Sequence, residues 1–284
     1  MTIQEANRLI TTRLTAIYDE AEASNISEWI IENLTGLKRT DRIVHKTRAI
    51  SQEHAEQIEV YLKRLLLHEP VQYVLNEAWF CGLKFYVNKN VLIPRPETEE
   101  LVEWIISDCK FPIDKLSILD IGSGSGCIPL ALKRRLSKAN VWSCDVSNKA
   151  LEVAKRNAAT LGVNVNFIEL DFLNTEQRDT LASFDIIVSN PPYIPITDKK
   201  EMPLNVLDHE PGTALFVPDN DALVFYKAIV DFGKKHLNKN GIIYTEINES
   251  LAEETAFIFQ LNEYRTELKK DMQGKERMIK AIRY

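Results

Sequence analysis

From residue 116 onward, short apolar segments alternate with helical patterns, and this alternation constrains the fold more than any other feature of the chain. SILDIG (117–122), VWSCDV (141–146), VNFIEL (165–170), FDIIVSN (184–190) and GIIYTEI (241–247) are all short and nearly continuously apolar. Strands of that kind are covered on both faces, which calls for a parallel sheet with helices above and below it. The expected fold is therefore α/β with a Rossmann-like sheet, whose ligands bind beyond the carboxyl ends of the strands. Two late extended stretches, EYRTELKKD and ERMIKAIRY, predict an antiparallel hairpin at one edge.

The first 70 residues read differently. Leu9, Ile10, Leu14 and Ile17 follow a 3.6-residue period, and Ala55, Ile58, Leu62, Leu65 and Leu66 make a second stripe. Between them, Asn25 followed by Glu28 resembles a helix start and Gly36 a stop, so a helix is expected around residues 27–34. Pro70 breaks the pattern. VQYVLNEAWFCGLKFYVN then reads as strands turning at Cys81-Gly82, and Pro96 can open a helix carrying Leu101, Val102, Trp104 and Ile105. The expected organisation is a helical bundle over 1–70, a β-hairpin linker over 71–95 and the sheet domain over 96–284.

Composition narrows the function classes. No apolar run approaches the roughly 20 residues that span a bilayer, and the N-terminus has no basic n-region or apolar h-region. A soluble, cytoplasmic protein with no membrane partner is expected. The four cysteines (Cys81, Cys109, Cys127, Cys144) form no CxxC pair, so neither a metal site nor a disulfide framework is suggested. Lys and Arg number 35 against 41 Asp and Glu, a net charge of −6, which disfavours direct binding of nucleic acid through its phosphates.

Two loops carry the chemistry. Asp120-Ile-Gly122-Ser123-Gly124-Ser125-Gly126 follows the first strand and opens a helix near Cys127. Glycines there admit a ligand closely, and backbone N–H groups with the helix N-terminus could meet a carboxylate or phosphate. The spacing is GxGxG, which fits neither the dinucleotide fingerprint nor a nucleoside-triphosphate loop. The competing reading is a flexible turn without a ligand. Asp145, ending the second strand, could accept both ribose hydroxyls of a nucleoside or merely cap a helix, a task Ser147 could perform alone. Asp171 and Phe172, after the third strand, could supply a carboxylate for an adenine amino group and an aromatic wall, or form a plain strand-end turn.

Asn190-Pro191-Pro192-Tyr193 follows FDIIVS at the carboxyl end of its strand. A planar NH2 group has two donors. The Asn190 side-chain oxygen and the Pro191 carbonyl can accept both, while Tyr193 can stack on the planar group. The prolines stiffen the loop and remove N–H donors, so acceptors dominate. Accepting those hydrogens raises electron density on an otherwise poorly nucleophilic nitrogen, and the contacts strengthen toward the transition state without requiring a metal. A proline-stiffened turn is the bland alternative.

With these residues in hand the chain resembles the class I S-adenosylmethionine-dependent methyltransferases, and within them the HemK/PrmC family of release factor glutamine methyltransferases. The resemblance covers nearly the whole chain and rests on EPVQYVLNEAWFCGLKFYVNKNVLIPRPETEELVEW (69–104), ILDIGSGSGCIPLAL (118–132), DIIVSNPPYIP (185–195), HEPGTALF (209–216) and QGKERMIKAIR (273–283). It implies a seven-stranded sheet with an antiparallel edge hairpin. It also implies S-adenosyl-L-methionine as cofactor (product S-adenosyl-L-homocysteine), held by Gly122 to Gly126, Asp145, Phe172 and Asn190, with Asn190 to Tyr193 on the glutamine amide. The substrate it implies is the glutamine of the Gly-Gly-Gln motif in class I peptide chain release factors, docked by the N-terminal helices. Asn76 stands where a glycine is expected after PVQY, and Phe172 where some members carry tryptophan. Arg95 and Glu97 could cover the active site or form a surface turn. The rival substrates are a ribosomal-protein glutamine and an exocyclic amino group of a nucleic-acid base. A rival from another class is a non-catalytic binding module on the same fold.

Overall fold

The computed structural model describes residues 1–283, which fall into two compact units: residues 1–77 with 203–209, and residues 78–202 with those from 210 onward. The first unit holds α1 (Ile3–Leu14), α2 (Glu20–Thr35), α3 (Arg39–Val44), α4 (Gln52–Leu65) and α5 (Val71–Leu75). Ile10 and Leu14 of the first apolar stripe and Ile58, Leu62 and Leu65 of the second are buried in one core with Ile30 of α2, while Leu9, Ile17, Ala55 and Leu66 stay half-buried outside it. A capping box starts α1: Thr2 Oγ1 accepts from the Glu5 N–H while Glu5 Oε2 accepts from the Thr2 N–H.

Two local expectations fail here for physical reasons. Helix α2 begins at Glu20, not near residue 27, because the Asp19 side chain accepts from the Glu22 N–H at 2.8 Å and caps it a full two turns earlier. Asn25 is inside that helix, and Glu28 binds Asn7 and the buried Arg42 instead of capping. The stop at Gly36 is as expected, in the left-handed region at φ 69°. Residues 71–75 form a helix, not a strand: Pro70, which has no N–H to lose, sits at its start, and Asn76 ends it at φ 53°. Asn76 thus takes the conformation a glycine would supply.

The second unit opens with a short hairpin, β1 (Ala78–Phe80) and β2 (Leu83–Phe85), turning through Cys81 and Gly82 at positive φ. Helix α6 (Pro96–Asp108) follows, with Pro96 at its first position. Then come β3 (Ser117–Ile121), α7 (Cys127–Arg135), β4 (Asn140–Asp145), α8 (Asn148–Leu161), β5 (Asn166–Glu169), the one-turn α9 (Thr175–Arg178) and β6 (Phe184–Ser189). A two-residue strand pair, β7 (Ile194–Pro195) and β8 (Phe216–Val217), brackets the segment that contains α10 (Leu204–Leu207). Helix α11 (Val224–His236), β9 (Leu237–Glu246), α12 (Ala252–Leu261), β10 (Tyr264–Lys270) and β11 (Glu276–Arg283) complete the chain.

Seven strands lie in the order β10-β11-β9-β6-β3-β4-β5. Five are parallel, and β10-β11 is the antiparallel edge hairpin read from the sequence. Strand β9 starts four residues earlier than its apolar run, because Leu237 pairs with Phe184 before an irregularity restores the register at Ile242. Leu119, Ile187, Ile229, Phe232, Ile243 and Phe259 pack helices onto one face at near-zero exposure. The chain leaves β3 toward β4 and β5 on one side and returns to β6 on the other. The carboxyl ends of β3 and β6 therefore flank the switch point, where a crevice for a ligand must open.

Candidate active site

Register brings the two sequence motifs together. Ile121 pairs with Ser189 and, on its other side, with Cys144, so Gly122 and Asn190, which follow β3 and β6, and Asp145, which ends β4, stand at the same level of the sheet. Ser189 Oγ donates to the Ile121 carbonyl at 2.8 Å and locks this alignment. These ends open on a cavity of about 150 Å³ lined by the glycine loop, Asp145, Asp171, Phe172, Asn190, Pro191 and Pro192. Such a volume is roughly ten times what one water needs, so the cavity has room for a ligand larger than water. Of the residues read from the sequence as cofactor or substrate contacts, Gly126 and Tyr193 do not line it.

The glycine loop binds its own chain more than expected. The N–H groups of Gly122 and Ser123 donate to the Cys144 carbonyl (2.8 and 3.0 Å), that of Gly124 to Asp145 Oδ2 (2.9 Å), and that of Gly126 to the Ser123 carbonyl (2.7 Å). An anion cradle built from these four N–H groups is therefore ruled out. What the glycines supply is conformation: Gly122, Gly124 and Gly126 have φ of 88°, 51° and 81°. At Gly126 a Cβ would also stand 3.0 Å from Leu130 Cδ1 and 3.2 Å from Ala154 Cβ. This glycine is required by packing between α7 and α8.

Asp145 spends one lone pair per oxygen within the protein, Oδ2 on Gly124 N–H and Oδ1 on Ser147 N–H (2.8 Å). Ser147 Oγ caps α8 by itself, accepting from the Ala150 N–H. A carboxylate has about four lone-pair sites, so both oxygens retain capacity for hydroxyl donors from a ligand. Burial raises its pKa while the Gly124 and Ser147 N–H groups oppose that rise. Asp171 makes a turn onto the Leu173 N–H and still lines the cavity. Phe172 is held from behind: its carbonyl accepts from the buried Arg178, and its ring meets Phe232 edge to face. Among the described residues no cluster of His, Cys, Asp and Glu is arranged to hold a metal.

The Asn190 side chain donates through Nδ2 to Thr98 Oγ1 at 3.0 Å, and Thr98 donates to Glu246 Oε2 at 2.7 Å. Tyr193 turns from the cavity toward the same carboxylate, donating to Glu246 Oε1 at 3.0 Å, while its ring packs on the core. Thr98 and Glu246 are each 2% exposed. Burial raises the Glu246 pKa, against the Thr98 and Tyr193 hydroxyls and the nearby Arg277. Sequence reading missed both residues, although Thr98 adjoins the Glu97 it weighed and Glu246 is the acid inside the apolar run GIIYTEI. An acid inside an apolar strand is the signal that could have found Glu246. Arg95 pairs with Glu210, which is buried and also accepts from the Ile93 N–H at 3.1 Å. These contacts fix the segment 91–95 as one wall of the cavity.

Residues 101–208 match the methyltransferase small domain family, and residues 5–75 match the PrmC N-terminal domain. The chain is 45% identical, over 99% of its length and 99% of the relative's, to a release factor glutamine methyltransferase of Flavobacterium psychrophilum. It is 39% identical, over 96% of its length and 98% of the relative's, to the protein of that name in Bacteroides thetaiotaomicron. In fold it is similar to a methyltransferase from Pyrococcus furiosus, with a TM-score of 0.51 at 16% identity over 82% of this chain and 98% of that one.

Proposed function

The chain belongs to the release factor glutamine methyltransferases, and from that premise we propose how its residues divide the work. It is an enzyme that methylates a glutamine of peptide chain release factors. Within that activity, we assign the methyl donor as S-adenosyl-L-methionine, the acceptor as the side-chain amide nitrogen of the Gly-Gly-Gln glutamine in class I release factors, and the helical unit as the docking surface. The single observation that carries the site assignment is the convergence of Asn190, Asp145 and the glycine loop on one cavity at the switch point.

The donor set fits that cofactor. Asp145 has acceptor capacity for ribose hydroxyls, Phe172 offers an aromatic face beside the Asp171 carboxylate, and Gly122 and Gly124 put no side chain into the cavity. When bound, the cofactor supplies an electrophilic methyl group on a sulfonium sulfur. The chain's part is to hold and polarise the acceptor. Asn190 Oδ1, opposite the Nδ2 that Thr98 holds, accepts one hydrogen of the glutamine NH2, and the Pro191 carbonyl accepts the other. Both contacts grow stronger as the nitrogen loses electron density, so they lower the barrier more than they tighten binding. Tyr193 acts here through Glu246 and the loop backbone, which is a different part from stacking on the amide.

Methyl-labelled S-adenosylmethionine offered separately with a class I release factor, a ribosomal protein fraction and DNA tests the assignment. One methyl on the Gly-Gly-Gln glutamine, located by mass spectrometry, is the expected product. Asn190→Ala should abolish transfer while cofactor affinity stays within about tenfold, or roughly 1.4 kcal/mol. Full turnover by that variant would remove Asn190 from the chemistry.

A further inference from the structure

An asparagine side chain presents two ends of nearly the same shape and opposite hydrogen-bonding character, so a site that reads an NH2 group through Asn190 depends on which end faces the substrate. Nothing in Asn190 itself decides this. The decision lies two hydrogen bonds away. Thr98 has one hydroxyl proton and gives it to Glu246 Oε2 at 2.7 Å, so its oxygen is left to accept. Asn190 must then offer Nδ2 to it, at 3.0 Å, and its carbonyl end is left for the substrate. The reversed amide would set Oδ1 against an oxygen whose proton is already committed, with two acceptors opposed in a buried site.

The same carboxylate holds the other end of the loop. Its second oxygen accepts from the Tyr193 hydroxyl, its main-chain carbonyl accepts from the Tyr226 hydroxyl at 3.2 Å, and the Tyr193 carbonyl accepts from Asn248 Nδ2 at 3.3 Å. Glu246 thus ties the first and last residues of Asn190-Pro-Pro-Tyr193 to the end of β9, the neighbour of β6 in the sheet. Arg277 and Glu97 are the charged groups that act on it, with opposite signs.

We propose that Glu246, acting through Thr98, is a positioning residue that fixes the amide orientation of Asn190 and so restricts the site to an acceptor nitrogen that donates its hydrogens. This rests on the reading of Asn190 as the residue that holds the glutamine amide. Neither Thr98 nor Glu246 touches the reacting atoms in this role, so the loss on breaking the relay belongs in kcat and not in binding.

The test compares Thr98→Val, Thr98→Ser and Glu246→Gln with the parent enzyme, using a class I release factor and methyl-labelled S-adenosylmethionine. Thr98→Val keeps the shape and removes the hydroxyl. Its kcat should fall roughly 10- to 100-fold, the scale on which a misoriented reacting group costs rate, with the KM for release factor and the cofactor Kd within about threefold. Thr98→Ser should return kcat to within about threefold of the parent. Parent kcat in Thr98→Val overturns the relay, and so does an equal loss in Thr98→Val and Thr98→Ser, which would make the role one of packing. If Thr98→Val does not fold, Glu246→Gln decides: its amide can donate toward Thr98 and reverse the chain of donors. A kcat loss there at unchanged KM supports the relay, and parent kcat overturns it. If the parent itself places no methyl on glutamine, the reading of Asn190 fails, which is separate from failure of the relay.

Discussion

Asp120 is the first acid of the glycine loop and the most deeply buried. Its Oδ2 accepts from Ser143 Oγ at 2.6 Å, Ser143 in turn contacts Ser123, and Oδ1 has no hydrogen-bond partner. Burial pushes its pKa from an ordinary 3.8 up to about 8, against the Ser143 hydrogen bond and with the charge of Asp145 assisting. Between those values the folded chain keeps a proton that the unfolded chain has released. The contribution to stability is therefore fully present below about pH 4 and is lost as pH rises through about 8. Melting temperatures of the parent and Asp120→Asn, compared from pH 6 to pH 9, should show the parent falling further. Parallel curves would mean that Asp120 is ionised throughout. Residues of this kind stand in a recognisable motif and could be read from sequence. The pairing of Thr98 with Glu246 could not, because the two are 148 positions apart and meet only in the folded chain.

At the scale of elements, a further buried side chain without a signal in the sequence is Asn157 on α8. It accepts from the Tyr86 N–H at 2.7 Å and donates to the carbonyls of Tyr86 and Ser125, both at 2.9 Å. One amide so joins the chain after β2 to the glycine loop. Asn157→Ala would leave these main-chain groups without their partner in a dry environment, and each such group costs about 1–3 kcal/mol. A loss of at least roughly 2 kcal/mol is expected, measured by urea denaturation. A smaller loss would mean that water replaces the amide. Elements were legible where the local signal was unopposed: the five parallel strands, the edge hairpin, Pro96 opening α6 and Gly36 closing α2. They were misread where two local signals compete. In VQYVL the β-branched and aromatic residues favour a strand, yet Pro70 and Asn76 bound a single turn of helix whose apolar residues are buried on all sides.

For the whole molecule, charge and connectivity bear on what the enzyme meets. A net charge of −6 gives phosphates no general attraction. DNA offered at about 0.15 M salt should be neither retained nor labelled. Label in DNA that weakens steeply with added salt would show that a local basic surface outweighs the net charge. No helix among the described residues is long and apolar enough to cross a membrane. The chain also visits its helical unit twice. After Asn190-Pro-Pro-Tyr193 it contributes residues 203–209 to the unit formed by residues 1–77, where His209 Nε2 lies 3.1 Å from the Leu67 carbonyl, and then supplies Glu210, which holds Arg95 and the Ile93 N–H. The segment that follows Asn190-Pro-Pro-Tyr193 is thus also the chain's second connection to the helical unit.

Periodicity, glycine spacing and the two prolines after an apolar strand are local properties, and they sufficed to predict the α/β class, the edge hairpin and the two loops that meet at the cavity. They could not determine which strands adjoin, since parallel strands far apart in the chain pair only through the twisted sheet and the helices packed on it. That pairing sets Gly122, Asp145 and Asn190 at one level, spends the loop's N–H groups on Cys144 and Asp145, and brings Thr98 and Glu246 to Asn190. A hydrogen bond needs both partners within about 3 Å, and only the folded chain brings such residues that close.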